Sequence, residues 1–311
     1  MFTGGGGNEI GLKRSGVDHE IAGMSEVDKY ASAVLRLQIP EAVNYGDART
    51  LVPKQFDGVN LIMAGFPCQS FSFAGKRLGF KDPTNYQFNE VKRMAGYIKP
   101  AFLLLENVAG LLYNHRGRAF GYVCQSLSDL GYFFEWAVLN SKHYGIPQDR
   151  KRTFMFCYTR AECAGKIFFD SEADRERENQ EAAGDLLIMK SRRTENAKQE
   201  RRQNLKTGLD YSKFKDKENY FTRPAAFPTI CTNQSRELII MDPATNRPRR
   251  LTPLEYERLM SWPDNWTQYG LDEKGKQIKI SDTQRYKIAG NGVVSVIVSD
   301  LIKKIYSLVE A

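Results

Sequence analysis

A thiol, a carboxyl and two guanidinium groups stand where the sequence pattern places the ends of strands. Cys68 follows the apolar run Leu61-Ile62-Met63 and the turn Gly65-Phe66-Pro67, with polar Gln69, Ser70 and Ser72 after it. A cysteine just beyond a buried strand fits an exposed nucleophile, its thiolate favoured by nearby positive charge or a helix N-terminus. The alternative is a buried cysteine that fills apolar space. Glu106 closes a second apolar run that begins at Ala101. A carboxyl in that place is costly unless paired or used, and burial would turn it toward a general acid; its alternative is a cap on the following turn. Gln148-Asp149-Arg150-Lys151-Arg152 opens a third run, and strand alternation would point Arg150 and Arg152 to one face. By itself such a run is also what a solvated edge looks like.

The N-terminal stretch offers a ligand site. Phe2 and Thr3 lead into four consecutive glycines, Gly4 to Gly7. Without Cβ atoms ahead of a helix, backbone N–H groups can approach a ligand closely. Glu26 comes 20 residues after Gly6, behind an expected strand over His19–Met24. A nucleotide-binding sheet places an acid for ribose hydroxyls at about that distance. A plain turn would explain the glycines equally well.

These residues need a scaffold, and residues 1–160 read as one. Asn60–Gly65, Ala101–Leu105, Phe133–Leu139 and Thr153–Thr159 have the length and apolar content of strands. Phe88, Val91, Met94 and Ile98 recur at helical spacing, as do Phe120, Val123, Cys124, Leu127 and Leu130 before Gly131. The alternation predicts a Rossmann-like α/β fold, a mostly parallel sheet with helices on both faces. One helix separates the strands before Cys68 and Glu106, so both would reach the same crevice at the C-terminal ends. Thr252-Pro253-Leu254-Glu255 is a capping box that opens a helix through Met260. Val293–Leu308 closes the chain with Ile297, Leu301 and Ile305 on one helical face. No internal repeat is present.

Composition narrows the class. The 311 residues allow one large domain, or a large one with a smaller companion. No apolar run approaches the roughly 18 residues of a membrane span, and no charged-then-apolar leader opens the sequence. Neither a membrane nor a secretory route is therefore expected. Five cysteines without a Cys-x-x-Cys pair argue against a disulfide framework and a zinc knuckle, and for a reducing compartment. With three histidines, His-based triads and metal sites are disfavoured, and no metal is expected. The net charge of +8 suits a polyanionic partner. Asp170–Glu218 stands apart, with twelve acidic and twelve basic side chains and no sustained strand pattern.

Read in order, the motifs resemble the cytosine-5 DNA methyltransferases. The match comprises Phe-x-Gly-x-Gly-Gly at Phe2–Gly7, Glu26, Gly46-Asp47 and Pro67-Cys68-Gln69. It continues through Glu106-Asn107-Val108, Gln148-x-Arg150-x-Arg152 and Ala289-Gly290-Asn291-Gly292-Val293-Val294. The resemblance implies a class I methyltransferase fold with a small irregular target-recognition domain. It divides the chain into a first catalytic and cofactor-binding part over 1–159, a target-recognition region over 160–223, and over 224–311 the remainder of the small domain with a C-terminal helix that returns to the catalytic domain.

The resemblance also implies a mechanism and partners. Cys68 adds to carbon 6 of a cytosine flipped out of the duplex. Glu106 serves ring nitrogen 3, and Arg150 and Arg152 hold the base carbonyl. The methyl donor is S-adenosylmethionine, which leaves as S-adenosylhomocysteine. Phe2, Thr3, Gly4, Gly6, Gly7, Glu26, Asp47, Ala48, Pro67, Gln87, Asn291 and Gly292 are its expected neighbours. The partner is double-stranded DNA, favoured over tRNA by Pro67-Cys68-Gln69 and the inserted region. A cytoplasmic, nucleoid-associated monomer is expected.

The sequence departs from the family pattern in three places. Met1 directly precedes Phe2, where the family has a full strand with an Asp two residues before the Phe. The family's Arg-Gly-x-Leu-Phe reads Thr84-Asn85-Tyr86-Gln87-Phe88, which puts Gln87 in place of a cofactor-facing Leu. The recognition region is short. A second reading is therefore a methyltransferase fold that grips DNA without activity of its own, or that works with a segment or partner supplying the first strand.

Overall fold

Alternate residues of one central strand build two separate cores. In the computed structural model, which describes residues 1–66, 86–114, 116–168, 188–191, 220–223, 227–230, 238–242 and 247–310, the main sheet contains β1 (Leu61–Ala64), β2 (Phe102–Val108), β3 (Phe133–Asn140) and β5 (Lys151–Tyr158). Their order is β1-β2-β5-β3. Phe102 and Leu104 of β2 face one way, into a core with α1 (Gly7–Ser15) and the C-terminal helix Ser295–Glu310. Leu103 and Leu105 face the other way, toward α3 (Tyr86–Ile98) and α4 (Arg118–Asp129). The period-2 alternation of a strand buried on both faces is thus expressed as a sheet sandwiched between helix layers.

The α/β class stands, and the sheet is mixed. β1 and β2 pair in parallel, whereas β5 runs antiparallel to both β2 and β3. Parallel neighbours need a crossover of a dozen or more residues. Only Ser141–Arg150 separates β3 from β5, so the chain returns as a hairpin. The expected strand over His19–Met24 is reduced to a bridge between Met24 and Asn44. α2 (Lys29–Gln38) follows it, capped by Asp28, whose side chain accepts from the N–H groups of Tyr30 and Ala31.

A second, antiparallel sheet has the order β10-β9-β6-β7, from β6 (Ile188–Ser191), β7 (Tyr220–Arg223), β9 (Leu238–Asp242) and β10 (Arg247–Arg250). Two of its strands, β9 and β10, lie beyond residue 223, in the stretch expected to hold the remainder of the small domain. β6 falls inside the charge-rich stretch and has only Ile188 and Met189 as apolar residues, too short a run to show a period. The two-residue β4 (Gln148–Asp149) pairs with β8 (Phe227–Pro228) and ties this region to the catalytic part.

The remaining elements form one wall of the glycine loop. α5 (Pro253–Leu259) opens on the expected capping box, with Thr252 and Glu255 bonded reciprocally. A hairpin of β11 (Tyr269–Leu271) and β12 (Gln277–Lys279) leads to α6 (Asp282–Asn291) and α7 (Ser295–Glu310). Beneath them Glu257, fully buried, accepts from Thr267 and Arg285. Among the described residues, no helix is long and apolar enough to cross a membrane.

Candidate active site

The parallel pairing of β1 with β2 sets Ala64 opposite Leu105, which brings the C-terminal ends of both strands together. A Cβ on Gly65 would lie 3.5 Å from Glu106 Oε2 and 3.9 Å from the carbonyl oxygen of Phe2. Three segments therefore converge on Gly65: the start of the glycine loop, the Glu106 strand and the lead into the cysteine motif. Asn107 secures the third by donating its Nδ2 to the Phe66 carbonyl at 2.8 Å. Pro67 and Cys68 lie outside the described residues.

Glu106 meets one of the two expected arginines. Arg152 stands opposite Val108 across the β2–β5 ladder, and its Nε lies 3.1 Å from Glu106 Oε1. Burial pushes the Glu106 carboxyl above the usual carboxylate range, while Arg152 and then Arg150 pull it back down. A carboxyl so placed can carry a proton and hand it over.

Arg150 departs from the expectation of a shared face. Strand geometry is interrupted between β4 and β5, and Arg150 sits in the break, so alternation no longer applies to the pair. Its buried guanidinium donates to the carbonyls of Ile230 at 2.9 Å, Gly290 at 3.1 Å and Gly292 at 2.7 Å. Beside it, fully buried Gln148 donates to the Leu259 carbonyl at 2.7 Å and accepts from the Ile230 N–H at 3.1 Å. Gln148 and Arg150 clasp the returning chain. Arg152 remains at the carboxyl.

On the opposite side of Gly65 the glycine loop has mixed reasons for its composition. Gly4 has φ 60 and no atom within 4 Å of the place a Cβ would take, so its left-handed backbone rather than crowding calls for glycine there. Gly6 also needs its φ of 92. Gly5 and Gly7 instead serve packing. A Cβ would come within 2.4 Å of Ile288 at Gly5, and within 2.7 Å of the Val293 carbonyl at Gly7. Trp262 and Trp266 back the loop, the latter donating its Nε1 to the Gly5 carbonyl at 2.7 Å. Glu26 locks it in front. One carboxylate oxygen accepts from the Gly4 N–H at 2.7 Å, the other from the Asp28 N–H at 2.8 Å.

The other expected cofactor residues are held in different ways. Asp47 caps the turn Ala48–Thr50 and pairs with the exposed Arg49, which holds its carboxyl below the usual range. Ala48 is buried, and Arg93 of α3 donates to the carbonyls of Ala48 and Leu51 at 3.1 and 3.0 Å. Asn291 is exposed at the end of α6, whereas Gly292 packs against Trp262, 2.3 Å from where its Cβ would be. Gln87 lies in the first turn of α3. Thr3 is buried, and its hydroxyl has no partner among the described residues. Sequence reasoning missed Asn44. Its side chain accepts from the N–H groups of Glu26 and Gly46 and donates to the Glu26 carbonyl and Ser32. The only sequence signal was an Asn two residues before a glycine turn.

Comparison with known proteins settles the lineage of this arrangement. The family model for the C-5 cytosine-specific DNA methylase matches residues 1–307. The chain belongs to that family. Among curated DNA methylases, the type II methyltransferase M.NgoBI of Neisseria gonorrhoeae is 31% identical over 99% of this chain and 92% of its own length. M1.ScrFI of Lactococcus lactis subsp. cremoris is 27% identical over the full chain and 78% of its own length. M.NgoBV of Neisseria gonorrhoeae is 39% identical over 156 residues, and the match spans only 37% of that relative. In fold, the chain is similar over its full length to a Schizosaccharomyces pombe methyltransferase, Dnmt2, covering 98% of it with a TM-score of 0.69 at 18% identity. A putative DNA modification methyltransferase from an Escherichia coli prophage superposes with a TM-score of 0.65 at 20% identity, over the full chain and 98% of its own.

Proposed function

We propose that this DNA methylase transfers a methyl group to carbon 5 of cytosine within one short double-stranded sequence, with Cys68 as the nucleophile. The Glu106–Arg152 pair beside Gly65 carries this reading. It puts a protonatable carboxyl and a fixed cation at the mouth of the segment that leads to Cys68. Addition of the Cys68 thiolate at carbon 6 pushes electrons toward carbon 5, and the Glu106 proton meets the charge building at nitrogen 3. Arg152 steadies the base carbonyl and holds Glu106 in place. Arg150 acts further back, as the residue that positions the Gly290–Gly292 wall.

The cofactor side fits S-adenosylmethionine. Gly4 offers a cradle that a Cβ would fill, Thr3 an unpartnered buried hydroxyl, and Glu26 a carboxylate with acceptor capacity left for ribose hydroxyls. Phe2, Gly6, Gly7, Asp47, Ala48, Pro67, Gln87, Asn291 and Gly292 would complete the surroundings. When bound, the cofactor supplies an electrophilic methyl group on a sulfonium. The names of the type II relatives suggest protection of one DNA sequence against a restriction partner, with residues 160–223 choosing that sequence. The enzyme would work as a monomer, among the DNA of the cytoplasm.

Transfer of tritium from labelled cofactor to duplex DNA, with bisulfite sequencing of DNA from expressing cells, tests the activity and finds the target together. A folded protein that retards DNA but leaves no label and no protected cytosine would be a binding module.

A further inference from the structure

Glu257 and Thr267 stand 10 positions apart in the chain and meet in the core. The segment between them carries Trp262 and Trp266, the two rings behind the glycine loop. Glu257 lies in α5, and its Oε1 accepts from the Thr267 N–H at 2.8 Å and from the Thr267 hydroxyl. Arg285 of α6 closes a triangle. Its Nη2 donates to the same Oε1 at 3.1 Å, and its Nε to the Thr267 hydroxyl oxygen at 3.2 Å. Glu257 and Thr267 are fully buried, and Arg285 nearly so.

Stability is a poor explanation for this cluster. Taking a carboxylate and a guanidinium out of water is costly, and apolar residues of similar volume often serve a core as well or better. The pairing is also lopsided. Oε1 takes all three donors, while the buried Oε2 has no hydrogen-bond partner among the described residues. What the arrangement fixes is geometry. One oxygen that receives a backbone N–H and a guanidinium sets the distance between the two ends of the segment and ties both to α6. On the solvent side, Arg258 and Asp264 pair at 2.6 Å across the same segment.

The geometry so fixed aims the tryptophans. Ser261 at φ 58 and Asn265 at φ 59 adopt left-handed backbone, each directly before a tryptophan. Residues other than glycine keep that conformation where their surroundings hold them to it. After the first turn, the Trp262 N–H reaches the Glu257 carbonyl at 2.9 Å, and its Nε1 donates to the Val293 carbonyl at 3.0 Å. Its ring stands 2.8 Å from the place of a Cβ on Gly5 and 2.3 Å from that on Gly292. After the second turn, Trp266 donates its Nε1 to the Gly5 carbonyl at 2.7 Å, and its ring lies 3.5 Å from the place of a Cβ on Gly6. Thr267 follows it directly.

We propose that Glu257, Thr267 and Arg285 form a clasp that positions the two tryptophans, and through them the glycine loop, for the cofactor. The inference rests on the cofactor reading above. The Glu257 carboxylate fixes Thr267, Thr267 fixes the backbone of Trp266, and the Trp266 indole holds the Gly5 carbonyl. All three members are positioning residues, which act on the loop through Trp262 and Trp266.

Thr267→Val keeps the shape of the side chain and removes its hydroxyl, whereas Thr267→Ser keeps the hydroxyl. In calorimetric titration, Thr267→Val should bind S-adenosylhomocysteine about tenfold more weakly, the scale of one lost hydrogen bond to a charged group. Thr267→Ser should restore the affinity. Trp266→Phe, which removes the donor to Gly5, should show a similar loss. The Thr267→Val, Trp266→Phe double variant should lose no more than the weaker-binding single variant, because both changes act at one contact. A second readout needs no ligand. With Trp136→Phe only Trp262 and Trp266 emit, and acrylamide should quench them more in Thr267→Val and as in the parent in Thr267→Ser. Wild-type affinity in Thr267→Val, whatever its melting temperature, would overturn the proposal and leave the cluster a core contact. Additive losses in the double variant would also overturn it, by separating Thr267 from Trp266. A wild-type chain that binds no S-adenosylhomocysteine would refute the cofactor reading instead. Quenching would then decide the clasp: a rise in Thr267→Val upholds its grip on the tryptophans, and no change refutes it.

Discussion

Arg150 and Arg152 are two residues apart and give opposite predictions. The buried Arg150 guanidinium donates to three backbone carbonyls, those of Ile230, Gly290 and Gly292. Arg150→Met leaves these acceptors buried without that donor, at about 1–3 kcal/mol for each such group. Allowing for relaxation, the loss is about 3–6 kcal/mol, a large share of the roughly 5–15 kcal/mol that holds a domain folded. At roughly 2–4 °C per kcal/mol, the melting temperature should fall by about 6–24 °C. Arg150→Lys should recover only part of this, because one ammonium cannot span the three carbonyls as a fork does. Both variants should weaken S-adenosylhomocysteine binding by calorimetry, since the Gly290–Gly292 wall loses its support. Arg152→Lys should melt with the wild type and bind the cofactor product normally. Its single-turnover methylation should fall by about 10²-fold, the scale of one lost transition-state donor. If Arg150→Lys kept its melting temperature and product affinity while its turnover fell like that of Arg152→Lys, Arg150 would touch the base as the sequence implied.

Cys68→Ala should abolish methyl transfer while leaving melting and product binding unchanged, and DNA with 5-fluorocytosine at the target should trap only the wild type covalently; full activity in the variant would sink the assignment. Glu106→Gln should lower turnover by about 10²-fold. Because the folded pKa of Glu106 is raised, the donor form persists above the usual carboxylate range and is lost as pH rises through that pKa, so the wild-type rate should decline on the alkaline side and the Gln variant should lack this limb. Grafting residues 160–223 into a relative of different specificity should move the methylated sequence, read by bisulfite sequencing; specificity that stays with the recipient would reassign the roles.

Sequence alone carried the local events far. The capping box at Thr252, the helical stripes over α3 and α4, and the apolar runs of β1 and β2 are decided by neighbours within a turn or a few residues. They appear where periodicity puts them. The meeting of Glu106 with the Gly65 lead was also legible, because one intervening helix forces two parallel strands side by side. Cys124 shows the limit of a helical stripe. It is half-buried rather than enclosed, although burial still pushes its thiol up to about 11.

What sequence could not decide were relations between distant segments. Alternation paired Arg150 with Arg152, but a break between β4 and β5 separated them, because Ile230, Gly290 and Gly292 supply acceptors from 80 to 142 residues away. The glycine run resembled one continuous ligand cradle, yet Gly5 and Gly7 answer to Ile288 and Val293, whose approach no local pattern records. The expected strand over His19–Met24 became a single bridge because a strand exists only where a neighbour completes its ladder. Residue types and spacing therefore determined which elements form and which chemistry the chain carries. Tertiary structure alone decided which arginine faces the carboxyl and which glycines pack against the returning chain, since each depends on contacts between segments far apart in the chain.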